Sequence, residues 1–148
     1  MPLPSLNEQG DLPLGVHHAT LQEILEYFGK GSAKRQALAL RLERIYQLAT
    51  GTGQVKRFIV FGSFITAKLE PNDIDVFMMM KDSFDVAQLS GRLRLLFDHT
   101  VAQDHFGSSI FWVRQAAALG GEQAAIEHWQ IKRDGSQRGI VDIIQEAS

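Results

Sequence analysis

The stretch Phe61-Gly62-Ser63, followed after nine residues by Asp73-Ile74-Asp75-Val76, constrains this chain more than any other. It reads as a strand ending in a Gly-Ser turn, then a second strand that carries two carboxylates. Side chains alternate along a strand, so Asp73 and Asp75 share one face and Ile74 takes the other. Two such positions lie roughly 6–7 Å apart at Cα, close enough for both carboxylates to converge on one hard cation. The Gly-Ser turn offers backbone N–H groups and a hydroxyl to phosphate oxygens. Two carboxylates, a divalent metal and a phosphate cradle are the parts of a phosphoryl-transfer site.

The flanks fit that placement. Val55-Lys56-Arg57-Phe58-Ile59-Val60-Phe61 is rich in β-branched and aromatic residues, as a buried strand requires. Val76-Phe77-Met78-Met79-Met80 is an apolar run that predicts a strand buried on both faces. A buried carboxylate without a partner is costly, which places Asp73 and Asp75 at the open end of that strand. Pro71-Asn72 marks the turn just before them.

Phe61, Gly62, Ser63, Asp73, Ile74, Asp75 and Val76 resemble the signature of the nucleotidyltransferase superfamily that includes the palm of DNA polymerase beta. The resemblance extends to a group of bacterial proteins in that superfamily through Leu12-Pro13-Leu14-Gly15-Val16-His17, Gly62-Ser63-Phe64-Ile65-Thr66, Arg133-Asp134-Gly135 and Arg138-Gly139-Ile140-Val141. It implies that Asp73 and Asp75 hold Mg²⁺ (or Mn²⁺), and that Gly62 and Ser63 contact the triphosphate of a bound NTP. It also implies a third carboxylate on a later strand, which helps bind the catalytic metal and activate the acceptor hydroxyl. That strand is Ser108-Ser109-Ile110-Phe111-Trp112-Val113, and the acid position falls on Ser109. Serine is neither an anionic ligand nor a base. Asp104, just upstream, and Asp142, on the last strand, are the candidate substitutes.

The remaining pattern predicts an α+β fold, a mixed sheet packed by helices. Residues 1–11, with Pro2, Pro4, Asn7 and Gly10, are expected as a mobile arm, and residues 12–148 as one domain. Thr20-Leu21-Gln22-Glu23 is a capping box opening a helix that Gly29 stops. Ser32 caps a second helix with Leu38, Leu42, Ile45 and Ala49 on its core side. Ser83 is expected to cap a third, with Val86, Leu89, Leu93, Leu96 and Phe97 inward. Ala116 to Ile126 is helix-prone but broken by Gly120-Gly121. Trp129 to Arg133 and Gly139 to Ile144 read as a hairpin across Asp134-Gly135.

The net charge of −2 supplies no overall attraction to nucleic acid or to an anionic membrane. Lys30, Lys34, Arg35, Arg41 and Arg44 form a basic helix face, read as solvated. With no cysteine, disulfides and thiolate metal sites are excluded. No apolar run reaches transmembrane length and no leader pattern opens the chain, so a cytoplasmic location is expected. No Walker loop, dinucleotide fingerprint or nucleophile elbow is present.

Other residues read as structural. His17-His18 fall in the loop before the first helix, Met78-Met79-Met80 fill the core, and Trp112 and Trp129 are buried in the sheet. Lys68 is an exposed loop lysine, and Arg133 and Arg138 are solvated flanks of the hairpin.

Two functions follow as expectations. One is transfer of NMP from an NTP to a hydroxyl of a protein, RNA or small-molecule acceptor. The acceptor site is then completed by a partner protein or a second copy, and the superfamily suggests a two-gene setting such as toxin with antitoxin. The other is a catalytically silent relative that binds a nucleotide or a partner. A nucleic-acid-binding module on the basic second helix is a third reading, carried by charge alone.

Overall fold

The structure, a computed structural model, describes residues 3–118 and 120–144. Its strands are β1 (Val16–Ala19), β2 (Val55–Phe61), β3 (Ile74–Met80), β4 (Ser108–Arg114) and β5 (Ile140–Ile143). They form one sheet in the order β1-β5-β2-β3-β4. β1 runs parallel to β5 and β3 parallel to β4, while β2 is antiparallel to both its neighbours. The described helices are α1 (Leu21–Phe28), α2 (Ala33–Thr50), α3 (Gly91–Leu96), α4 (His99–Phe106) and α5 (Glu122–Glu127). The class is α+β with a mixed sheet.

The two faces of the sheet are unequally covered, and this decides where a site can open. Phe58, Val60, Ile74, Val76, Met78, Ile110, Val141 and Ile143 point to the face that α1 and α2 cover, within a core that includes Ile24, Phe28, Leu38, Leu42 and Ile45. Full burial of each large side chain of α2 contributes about 1.5–3 kcal/mol. The opposite face carries Ile59, Phe77, Met79 and Ile140, with Ile126 of α5 and half-buried Phe61, Phe111 and Trp129 over them. Alternation puts Asp75 and Ser109 on this thinly covered face.

The capping box of α1 forms as read: Thr20 Oγ1 accepts from Glu23 N–H at 3.2 Å, and Glu23 accepts from Thr20 N–H at 2.9 Å. Ser32 accepts from Arg35 N–H at 3.1 Å to open α2. Three expectations are corrected. The single helix after β3 is a 3-10 turn capped by Asp85, then α3 and α4, with Asp98 capping α4. Ser83 instead donates to Gln54 Oε1 at 2.8 Å. Leu89 and Ser90 are extended and break the run, and Gly91, at φ +61°, opens α3 after them. Trp129 to Arg133 is not a strand: residues His128–Gln130 form a 3-10 turn, and only Ile131 bridges Gln137. Residues 140–143 pair with β1 and β2 instead, because the sheet buries all four of them and a surface hairpin would not. His17 and His18 lie in β1 rather than a loop. The helix-prone stretch from Ala116 yields a 3-10 turn and then α5, which starts after Gly121; its Leu119 lies outside the described residues, as do Met1 and Pro2 of the N-terminal arm.

Within residues 3–11 the chain lies along the body. Leu3 is buried and Leu6 packs on the core. Asn7 Oδ1 accepts from Asp11 N–H at 3.0 Å, and Asp11 bridges Thr66 just past the Gly-Ser turn. Among the described residues no helix is long and apolar enough to cross a membrane.

Candidate functional site

β2 ends at Phe61, directly opposite Asp75 of β3, which is opposite Ser109 of β4. Gly62 follows with φ +86°, a conformation that side chains rarely adopt, and the chain then turns through a 3-10 segment, Ser63–Ile65. The glycine is also required by space. A Cβ on Gly62 would overlap Asp75 Oδ2 and stand 2.9 Å from its Cγ. The turn therefore closes on the carboxylate itself, and Gly62 and Asp75 are one packed unit. Asp73 immediately precedes β3, half-buried, with its carboxyl within hydrogen-bonding reach of Asp75.

The electrostatics of this pair are unusual. Burial pushes the Asp75 carboxyl up, and the charge of Asp73 beside it adds to the effect. A hydrogen bond donated by Ser109 opposes the rise, one shared with Asp73 reinforces it, and the Arg138 guanidinium pulls the other way. The outcome is a carboxyl pushed up to about 7 from its ordinary 3.8. Two like charges this close need a proton or a cation between them. The pair thus fits one hard divalent cation, with the remaining coordination left to ligand oxygens and water.

Neither candidate for a third carboxylate joins the pair. Asp142 lies on the same sheet face but opposite Ile59, two residues along β2 from Phe61. It accepts from Arg57 Nε at 2.7 Å and is paired with Arg57 Nη2, while Arg57 Nη1 reaches Glu122 at 2.7 Å. Asp104 lies on α4 in a groove with Leu40, Arg41 and Arg44 of α2. Among the described residues no group of three or more His, Asp or Glu converges to hold a metal. Ser109 occupies the expected acid position, and its hydroxyl serves Asp75 as donor.

Arg35, which the sequence places on a solvated basic face, is buried at 5% exposure. Its guanidinium donates to the backbone carbonyls of Phe28 (3.0 Å), Phe64 (2.7 Å), Thr66 (2.6 Å) and Lys68 (3.0 Å). Ser32 adds a hydrogen bond to Leu69 O at 3.0 Å. The start of α2 thereby pins the loop between the two halves of the motif and fixes the exit of the Gly-Ser turn. A signal existed: Arg35 lies on the same helical stripe as Leu38, Leu42, Ile45 and Ala49. The side chain of Lys68 belongs to an exposed residue, as read.

Two further corrections concern the C-terminal part. Arg138 is not a solvated flank: its side chain is 20% exposed, lies 3.7 Å from Asp11, and its charge acts on Asp75. Trp129 is not in the sheet but lies over it, with ring centroids 4.6 Å from Phe61, 5.2 Å from Phe77 and 5.0 Å from Phe111. These rings cover the sheet face on which Asp75 lies. Trp112 lies within β4, and its indole N–H donates to Phe97 O at 2.8 Å.

The chain belongs to a family of unknown function (DUF6932), whose model matches residues 4–144. Comparison with curated proteins and with solved structures finds no match.

Proposed function

We propose that this DUF6932 member is a nucleotidyltransferase-like protein that binds an NTP with Mg²⁺ (or Mn²⁺) and transfers NMP to a hydroxyl of an acceptor. The observation that carries this reading is the packing of Gly62, at φ +86°, against the Asp75 carboxylate. It couples the Gly-Ser turn directly to the acid pair, and a strand-ending glycine with a merely structural role needs no carboxylate there. Asp73 and Asp75 hold the cation, while Gly62 and Ser63 position the β- and γ-phosphates. A bound divalent cation would neutralise phosphate oxygens and so lower the charge that repels the attacking hydroxyl. Phe61, Phe111 and Trp129 cover the sheet on the face that carries Asp75 and limit the water around it. The acceptor is a protein, an RNA end or a small molecule, presented by a partner protein or a second copy.

A second reading, nucleotide binding without transfer, is favoured by one observation: Ser109 donates a hydrogen bond to Asp75 where an acid would accept the hydroxyl proton. Calorimetric titration of Mg²⁺–ATP and Mg²⁺–GTP into wild type and Asp75→Asn tests the site. Heat that needs the metal and vanishes in the variant supports it; no heat with either nucleotide refutes it. Incubation with α-labelled NTP and candidate acceptors then separates the readings, since label transfer abolished by Asp75→Asn is incompatible with a silent site.

A further inference from the structure

Asp11 holds two cations of the C-terminal part at once. Lys132 Nζ lies 3.7 Å from its Oδ2, and Arg138 Nη1 lies 3.7 Å from its Oδ1. Both separations exceed the roughly 2.7–2.9 Å of a charge-assisted hydrogen bond, so the donors of the two cations are not saturated by Asp11. Lys132 also faces the charge of Asp134, and the charge of Arg138 acts on Asp75, which sets Arg138 beside the carboxylate pair. The backbone brings Asp11 and its cations toward the Gly-Ser turn. Asp11 bridges Thr66, and Ala67 N–H donates to Gly10 O at 2.8 Å, so residues 10–11 run along the loop leaving the Gly-Ser turn. Arg138 is fixed at its root: its N–H donates to Gln130 O at 2.9 Å, and Gly139 N–H donates to Leu12 O at 3.0 Å. Gly139 has no room for a side chain, since a Cβ there would overlap Pro13 O and stand 2.9 Å from His17 Nε2.

We propose that Lys132 and Arg138, gathered on Asp11, form an anion-binding arm that takes the phosphate chain of the ligand at the Asp73–Asp75 site. This rests on the nucleotide reading above and narrows the ligand class. A cation–polyphosphate complex satisfies both halves, with its metal on the carboxylates and its phosphate oxygens on Lys132 and Arg138.

The test uses the full chain with inorganic tripolyphosphate, with and without Mg²⁺, and with Mg²⁺–ATP. Lys132→Ala and Arg138→Ala should each weaken tripolyphosphate and Mg²⁺–ATP binding roughly tenfold, the loss of one charge-assisted contact. Asp75→Asn should lose the metal-dependent part and keep the metal-free tripolyphosphate binding. If wild type binds Mg²⁺–ATP and both alanine variants bind it equally well, the arm is refuted and the nucleotide site stands. If tripolyphosphate binds through Lys132 and Arg138 but Mg²⁺–ATP never does, the arm stands and the nucleotide reading falls. A purely structural role predicts that Arg138→Ala lowers the melting temperature as Asp11→Asn does, with tripolyphosphate binding untouched. Should the alanine variants fail to fold, the side-chain nitrogen resonances of Lys132 and Arg138 in wild type decide. They shift on adding tripolyphosphate if the arm is real, and their staying in place overturns it.

Discussion

Replacing Asp75 by Asn should make the protein more stable, not less, above neutral pH when no divalent cation is present. The folded carboxyl titrates at about 7, against an ordinary 3.8. The folded state therefore holds this proton more tightly than the unfolded chain does. Stability from the group is complete below the lower value and is lost as pH rises through the window between the two. One pKa unit is about 1.4 kcal/mol, so the full loss is about 4 kcal/mol, and about half has already occurred by pH 5.5. Asparagine keeps the shape, accepts from Ser109, donates to Asp73 and does not titrate. The stability gap between variant and wild type should then widen by about 2 kcal/mol from pH 5.5 to pH 8.5, or about 4–8 °C in melting temperature. Titrating groups away from the pair are common to both proteins and cancel in the difference; only the neighbours whose charges act on Asp75 (Asp73 and Arg138) feel the substitution. Thermal melts of both in chelator, across that range, measure the gap. Adding Mg²⁺ at pH 8.5 should raise wild type and leave the variant where it was. A gap of constant width, or a variant less stable than wild type at pH 8.5, refutes the account of the pair as an uncompensated acid cluster.

Substitutions at three other positions probe the scaffold. Gly62→Ala should destabilise by more than about 2 kcal/mol, from the left-handed backbone together with overlap on Asp75, and should abolish metal-dependent nucleotide binding; a wild-type denaturant midpoint would sink this. Arg35→Ala strands the carbonyls of Phe28, Phe64, Thr66 and Lys68, at a loss of about 3–5 kcal/mol in urea unfolding, and Arg35→Lys should recover only part because an ammonium cannot span the same fork. Ser109→Ala removes a donor that favours the ionised form, so the Asp75 carboxyl should titrate at higher pH by carboxyl carbon NMR; movement downward is incompatible with that hydrogen bond.

The legible parts of the chain were those decided locally. Strands β2, β3 and β4, the capping box at Thr20 and the stripe of α2 follow from period and capping, and the structure has them at nearly the expected bounds. The juxtaposition of Gly62, Asp73 and Asp75 was legible too, because alternation and one short connection determine it. Illegible were elements fixed by distant partners. β1 is four residues, Val16–Ala19, held by parallel pairing with β5 more than a hundred residues away, and its two histidines give no strand signal of their own. The terminal hairpin fails because β5 has better partners in β1 and β2 than in the segment just before it. Charge is the usual mark of a surface, so the sequence alone marks Arg35 and Arg138 as solvated. Only the loop carbonyls around one and Asp11 beside the other show what each guanidinium does.

The serine at 109 bears most directly on whether the site transfers or only binds. It faces Asp75 across adjacent parallel strands, about 4.8 Å apart. A third carboxylate there would add like charge to a pair already holding its proton to about 7. Without metal, such a trio would be still less stable and more fully protonated at neutral pH. The serine does the reverse, since its hydroxyl stabilises the Asp75 anion and eases entry of a cation. What it does not supply is a third anionic ligand or a base. Ser109→Asp should therefore lower metal-free stability at pH 8 and tighten divalent-cation binding by roughly tenfold or more, as ligand charge rises. Melting curves with and without Mg²⁺, and metal titration by calorimetry, read both effects. If the variant binds metal no better and melts as wild type does, position 109 does not face the cation site. If it gains transfer activity that wild type lacks, the native chain is a binder kept silent by one residue; if wild type transfers already, the acceptor or its partner brings the missing base.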